Sequence, residues 1–396
     1  MTNTPAAPSL PMARDRGPFD PPADLAEMAR EPVSRLRYPD GSLGWLVTGH
    51  EEGNQVHLDQ RFSAKSELRV SPVAPAGAPK MPAPPGMFVF MDPPDHTRLR
   101  NQVAKQFTAR RMKLLAEGIE ELTDKKIKEM KAAGDTADLI EALARPVPGQ
   151  VICDILGVAY EDRDSFQAQM ENQLALDASP EEVMGQSMNV VMFLHQLVGA
   201  KRAAPGEDVI SALIEAGELR DDEIVGIAFV LLFGGLETVT NMIALGTMAL
   251  LTHREQWERL CADPGLVDGA VEELLRYLTI FQYGTTMTAM EDMRIGEQEV
   301  KAGEMVTVSL AAGNRDPRKY DDPDELDVTR NAQSHMAFGR GIHYCLGAQL
   351  ARVELRIVFD RLVREFPTLR LAEPAESGEF RVNHEIYGVE RVQVAW

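Results

Sequence analysis

The chain has 396 residues, 44% of them hydrophobic and 26% charged, a balance that suits a packed globular protein rather than a disordered one. A formal charge of −20 argues against a nucleic-acid binder, because phosphate backbones attract broad basic surfaces. Cys153, Cys261 and Cys345 lie far apart and leave an odd count, which fits a reducing cytoplasm better than a disulfide framework.

Residues 1–23 contain no apolar run long enough for a signal or an anchor, and read as an extended arm. Residues 24–60 begin with a short helical pattern and continue into the alternating segment SRLRYPDGSLGWLVTGH, where Pro39-Asp40-Gly41 predicts a hairpin turn. Residues 69–95 are crowded with Pro, Ala and Gly and predict a long loop. From His96 to about Leu278 apolar residues recur at helical spacing, with breaks near Gly134, Pro146, Ala203 and Asp263. Within that stretch, 224–253 is apolar enough for a membrane span. Glu237, Thr238, Thr240 and Asn241 occupy its middle, where lipid would be most costly, so it predicts a buried helix and no membrane. Short alternating segments follow over 279–330, then a helix over 346–366 and short strands to the C-terminus. The whole predicts a mainly α fold with a smaller β-rich part, at about 35–60, 279–330 and 370–396.

The chemistry concentrates at Phe338-Gly339-Arg340-Gly341-Ile342-His343-Tyr344-Cys345-Leu346-Gly347, which sets a cysteine just ahead of a helical pattern. The positive end of a helix favours thiolate over thiol, and thiolate is the form that binds iron. Gly339 and Gly341 permit backbone angles closed to other residues, and Gly347 would let a flat macrocycle approach the helix. Cys153, in an apolar helical stretch, and Cys261, on a charged helix, read as structural. Upstream, Phe233-Gly234-Gly235-Leu236-Glu237-Thr238 interrupts the long apolar helix with two glycines and an acid–alcohol pair. Glycines cost about 1 kcal/mol each in a helix and threonine can bond back to the preceding turn, so a local distortion is expected. Glu273 and Arg276 stand three apart on one helical face, as do His96 and Arg100 at four.

Phe-Gly-x-Gly-x-His-x-Cys-x-Gly resembles the cysteine-ligand loop of the cytochrome P-450 family, and the other motifs follow in that family's order from His96 to Gly347. The resemblance implies a triangular helical bundle around haem b, as one catalytic domain over 24–396, with Cys345 as axial iron ligand. It implies that Glu237 and Thr238 serve oxygen activation, and that Phe338, Gly339, Gly341 and Gly347 shape the haem loop. His96, Arg100 and His343 would bind propionates, and Glu273, Arg276 and Arg330 would form an ion pair bracing the cysteine loop. One departure concerns Met287: relatives carry at that place an arginine that pairs a propionate, so haem retention here is expected to lean on His96, Arg100 and His343.

The implied activity is that of a cytoplasmic monooxygenase acting on an apolar small molecule, in macrolide or other polyketide tailoring or xenobiotic oxidation. Met81, Met87, Phe88, Ile280, Phe281 and Tyr283 are the candidate pocket residues. No flavin- or nicotinamide-binding glycine fingerprint is present, so electrons from NAD(P)H are expected through a ferredoxin reductase and a ferredoxin. Arg98, Arg100, Lys105, Arg110, Arg111 and Lys113, in a stretch without acids, would offer the ferredoxin a basic patch. The same fold also admits a nitric oxide reductase or a peroxygenase, and a haem sensor or carrier-protein recruiter is the non-enzymatic alternative.

Overall fold

The computed structural model describes residues 7–73, 77, 80–107, 109–159 and 180–396, with the side chains of 109, 110, 180–184 and 186 outside the description. Its contacts group into two compact units, each drawn from two stretches of chain: 1–83 with 272–345, and 84–271 with 346–396.

The first unit is built on a five-stranded sheet in the order Val33–Arg37, Leu43–Val47, Met305–Val308, Thr285–Ala289, Phe62–Ser63. The predicted hairpin forms. Tyr38 and Ser42 close the turn with a 2.9 Å bond, and Gly41 sits at φ +83°, where a side chain would be strained. Leu43–Val47 then runs parallel to Met305–Val308, a pairing across more than 250 residues of chain. Val47, Val56, Phe62, Ala289, Val306 and Met336 are among the side chains packed as its core.

The β-rich expectation for 35–60 fails at its end, because His50–Leu58 is a helix. Asp316 supplies the missing N-terminal acceptor by taking the His50 N–H at 2.8 Å, and Glu51 and Glu52 favour the positive end of the helix. Likewise, strands in 279–330 are confined to the stretch from Thr285 to Val308. Leu310–Gly313 is a helical turn, and turns follow from there to Cys345.

The second unit is mainly helical. It holds, among others, the helices Asp95–Ala104, Ala109–Ala133, Pro146–Leu156, Asp221–Gly235, Glu237–Thr252 and Ala348–Glu365. Its small sheet joins Thr136–Asp138 and Arg370–Leu371 to Gln393–Ala395, so the tail beyond 370 is less regular than expected. The apolar stretch Asp221–Thr252 is mostly buried within the protein, as its polar centre predicts. The end of the Pro-rich loop is fixed against it. A Cβ on Gly226 would lie 2.0 Å from the Pro85 carbonyl, and one on Gly86 would lie 2.2 Å from that of Glu223. Backbone therefore meets backbone where the loop crosses the helix, and that crossing sets Phe88, 1% exposed, against the His96 ring.

Candidate active site

In the first unit, a buried polar network supports the cysteine loop. Glu273 and Arg276 are 0% exposed and form a two-pronged pair at 2.7 and 2.8 Å. Arg330 donates to the same carboxylate at 3.1 Å, as does the Asp327 backbone. The guanidinium of Arg276 turns its remaining hydrogens to the carbonyls of Asn314, Pro323 and Glu325. Asn314 in turn receives the Met336 N–H at 2.7 Å and donates to Thr279. The brace thus reaches, through Asn314, the chain two residues ahead of Phe338, and this is how a helix-face pair anchors a distant loop.

The loop itself folds back on two left-handed glycines, Gly339 at φ +66° and Gly341 at φ +68°. Its closing bond runs from Cys345 N to the Phe338 carbonyl at 2.9 Å. Cys345 is exposed, three residues before the helix Ala348–Glu365 begins, and takes part in no disulfide. His343 ends the short helical turn Gly341–His343 and is half-buried. The sequence pattern brings all these groups together within one unit.

In the second unit, the long apolar helix breaks where the two glycines predict. Asp221–Gly235 and Glu237–Thr252 are separated at Leu236. The Thr238 hydroxyl donates to the Gly234 carbonyl at 2.6 Å, filling the acceptor that the distortion frees. Asn241 donates to the Glu237 carbonyl at 2.9 Å. His96 is buried and Arg100 half-buried on the helix Asp95–Ala104, one turn apart. Gly347 is the residue preceding Ala348–Glu365.

The pocket candidates divide between the units. Ile280 and Tyr283 are buried, Phe281 packs against the sheet core and Met81 is 64% exposed, all in the first unit. Met87, half-buried, and Phe88 lie in the second. Of the basic run, Arg98 is engaged by Glu223 at 2.5 Å and Arg111 by the Glu207 carbonyl at 2.9 Å. The Arg110 side chain lies outside the described residues.

Two neighbours of the predicted site residues escaped the sequence. Arg381 grips the Glu237 carboxylate at 2.9 Å and Glu390 at 2.8 Å. Burial opposes its charge, yet the two acids overcome that and raise its pKa. It lies 144 residues from Glu237, and no local spacing signals it. The second is His57, whose Nε2 lies 2.7 Å from the Thr285 hydroxyl. Burial, with Arg340 nearby, lowers its pKa to about 4.

These residues suit haem by their chemistry: an exposed thiol on a glycine-shaped loop, and a buried imidazole atom with no protein partner at His57 Nδ1. Comparison with known proteins points the same way. The family profile described as Cytochrome P450 matches residues 265–376. Cytochrome P450-SU2 of Streptomyces griseolus is 42% identical over 397 residues, covering 100% of this chain and 98% of its own. The vitamin D3 dihydroxylase of Streptomyces griseolus is 37% identical over 399 residues, 98% of this chain and 97% of its own. A crystal structure of CYP105P1 in complex with filipin I superimposes with a TM-score of 0.92 at 38% identity, over 99% of each chain.

Proposed function

The chain belongs to the cytochrome P450 family and is a P450 monooxygenase, and on that premise we propose that it oxidises a bulky apolar small molecule, by hydroxylation or epoxidation. The single observation that carries the oxygen-activating reading is the kink at Gly234–Thr238. There an acid and an alcohol are set side by side, each held by one defined partner. When bound, haem supplies the reductive activation of dioxygen from which one atom goes to the substrate and the other leaves as water.

The rest is the work of the chain. Cys345 would offer Sγ to the iron, His343 on the same loop would offer a donor to a carboxylate of the macrocycle, and the family resemblance gives the same role to His96 and Arg100. Thr238, already donating to Gly234, keeps its oxygen lone pairs available to accept a proton-bearing group, which orients a bound water. Glu237 can exchange a proton with solvent by swinging from Arg381, which remains neutralised by Glu390.

The substrate class, a polyketide-like secondary metabolite or a foreign apolar compound, follows by analogy with relatives whose names carry vitamin D3 and filipin I. Electrons would come from NAD(P)H through a ferredoxin reductase and a ferredoxin in the cytoplasm. The ferredoxin would dock on the basic run, and Arg111→Glu should slow reduction without changing substrate affinity.

The test is the dithionite-reduced carbon monoxide spectrum of the wild type and of Cys345→His. A strongly red-shifted Soret band lost in the variant supports thiolate ligation. Oxygen and NADH consumption with ferredoxin and its reductase then separates a monooxygenase from a haem sensor, which would consume neither.

A further inference from the structure

Glu272 precedes the braced Glu273 on the helix Val267–Leu278 and meets a different partner. Its Oε2 lies 3.2 Å from Nε2 of His335, and both residues are buried. The other ring nitrogen of His335, Nδ1, accepts the Ala337 N–H at 3.1 Å. All three residues belong to the first unit, as does the cysteine loop.

The hydrogen of this imidazole has one place to sit. A backbone N–H can only donate, so Nδ1 presents its lone pair to Ala337, and the neutral ring carries its hydrogen on Nε2, facing Glu272. The carboxylate thereby selects the tautomer, and the tautomer supplies the acceptor. One residue beyond Ala337, the Phe338 carbonyl takes the Cys345 N–H at 2.9 Å. The rings follow the same course: His335 lies 5.6 Å from Phe338, and Phe338 lies 6.3 Å from Tyr344, the neighbour of Cys345. Arg340 also holds the carbonyls of Ser334 and His335, at 2.7 and 3.3 Å, so the backbone carrying the imidazole is itself anchored. Glu273 reaches the Met336 N–H through Arg276 and Asn314. Two successive acids of one helix thus lead to two successive amides just ahead of Phe338.

Burying a carboxylate against an imidazole costs more than filling the same space with apolar side chains. Such a pair is explained by a demand for one fixed geometry, as where a ligating side chain is oriented by the groups behind it. We propose that His335, with its tautomer set by Glu272, is a positioning residue for the Cys345 sulfur. It holds the Ala337 amide, and through it the Phe338 carbonyl that restrains Cys345 N. The proposal rests on the reading of Cys345 as the iron ligand and adds to it the residues that aim the ligand.

The test uses the purified holoenzyme of the wild type, His335→Leu, His335→Gln, His335→Asn, Glu272→Leu and the Glu272→Leu/His335→Leu pair. The iron–sulfur stretch in the resonance Raman spectrum reports the sulfur, and loss of the red-shifted carbon monoxide band over time reports its retention. The stretch should move in His335→Leu, and the band should decay about tenfold faster, the worth of about 1.4 kcal/mol. The amide oxygen of His335→Asn falls near the place of Nδ1 and should restore most of the wild-type behaviour. The longer His335→Gln reaches toward Glu272, leaves Ala337 without its acceptor, and should behave like His335→Leu. Glu272→Leu should give part of the defect alone and add little to His335→Leu, because it acts through that ring.

A role in global stability alone would shift the unfolding midpoint and leave the iron–sulfur stretch where it is in folded enzyme. An unmoved stretch in both His335→Leu and His335→Gln would therefore overturn the proposal. So would His335→Asn performing no better than His335→Gln, or additive effects of Glu272→Leu and His335→Leu. Should His335→Leu not fold, His335→Asn against His335→Gln decides by the same criteria. Failure of the underlying reading looks different, because the red-shifted carbon monoxide band would then be absent from the wild type.

Discussion

Glu273 and Glu237 are each gripped by an arginine, and the two sites put that pairing to opposite uses. Around Glu273 the carboxylate accepts from Arg276 twice, from Arg330 and from the Asp327 backbone, with no exposed surface. Four bonds, three of them from guanidinium nitrogens, converge on a carboxylate closed to solvent. Around Glu237 one nitrogen of Arg381 supplies both contacts, at 3.2 and 2.9 Å, and the side chain is 16% exposed. Arg381 keeps a two-pronged grip on Glu390 at 2.8 and 2.9 Å, so it loses little charge balance if Glu237 turns away. A saturated carboxylate is a girder, whereas one held by a single shared donor can change partners.

That contrast can be broken most severely at the girder. Glu273→Ala leaves the Arg276 guanidinium buried without its counter-charge, and about 3–5 kcal/mol of stability should be lost, measured by denaturant unfolding. A variant that unfolds at the wild-type midpoint would end the distinction. Glu237→Gln should instead spare the fold and lower turnover by about 10²-fold, as removal of a proton-transfer group does. A larger solvent isotope effect on oxygen consumption would tie the loss to proton delivery.

A smaller effect is expected at Thr238. Thr238→Ala removes the hydroxyl that orients water at the kink, and product formed per NADH consumed should fall roughly tenfold, the worth of about 1.4 kcal/mol.

A third carboxylate, Glu354, sharpens the comparison from the other side and has the smallest effect. It is buried in Ala348–Glu365, its Oε2 has no partner, and burial pushes its pKa up to about 8 from 4.5. Between pH 4.5 and 8 the folded chain keeps this proton and the unfolded chain releases it. The favourable contribution is therefore complete below pH 4.5 and fades as pH rises toward 8. Glu354→Gln should lose less Tm than the wild type between pH 5 and pH 8, and identical slopes would show that Glu354 does not titrate there.

What could be read without coordinates follows from the range of each interaction. The cysteine loop, the Glu273–Arg276 pair and the Gly234–Thr238 kink are local patterns, set by backbone angles and helical spacing within ten residues. The hairpin at Gly41 is of the same kind. The helix His50–Leu58 was missed because its N-terminal acceptor, Asp316, comes from 266 residues away and Gly53 weakens the local pattern. The strand Thr136–Asp138 exists only because Gln393–Ala395 pairs with it. Arg381 and His57 stayed hidden for the same reason. A lone arginine in a C-terminal segment and a lone histidine at a helix end carry no periodic signal until the chain folds.

The crossing of the loop at Gly86 with the helix at Gly226 has a consequence for heredity and for engineering. Because the two backbones touch there, neither position can accept a side chain unless the other segment moves. Chimaeras that take the loop from one parent and the helix from another will function as hybrids only when both parents carry the same glycine pair. The useful breakpoints for shuffling such enzymes therefore lie before Gly86 or after Gly226, and the stretch between them is best inherited whole.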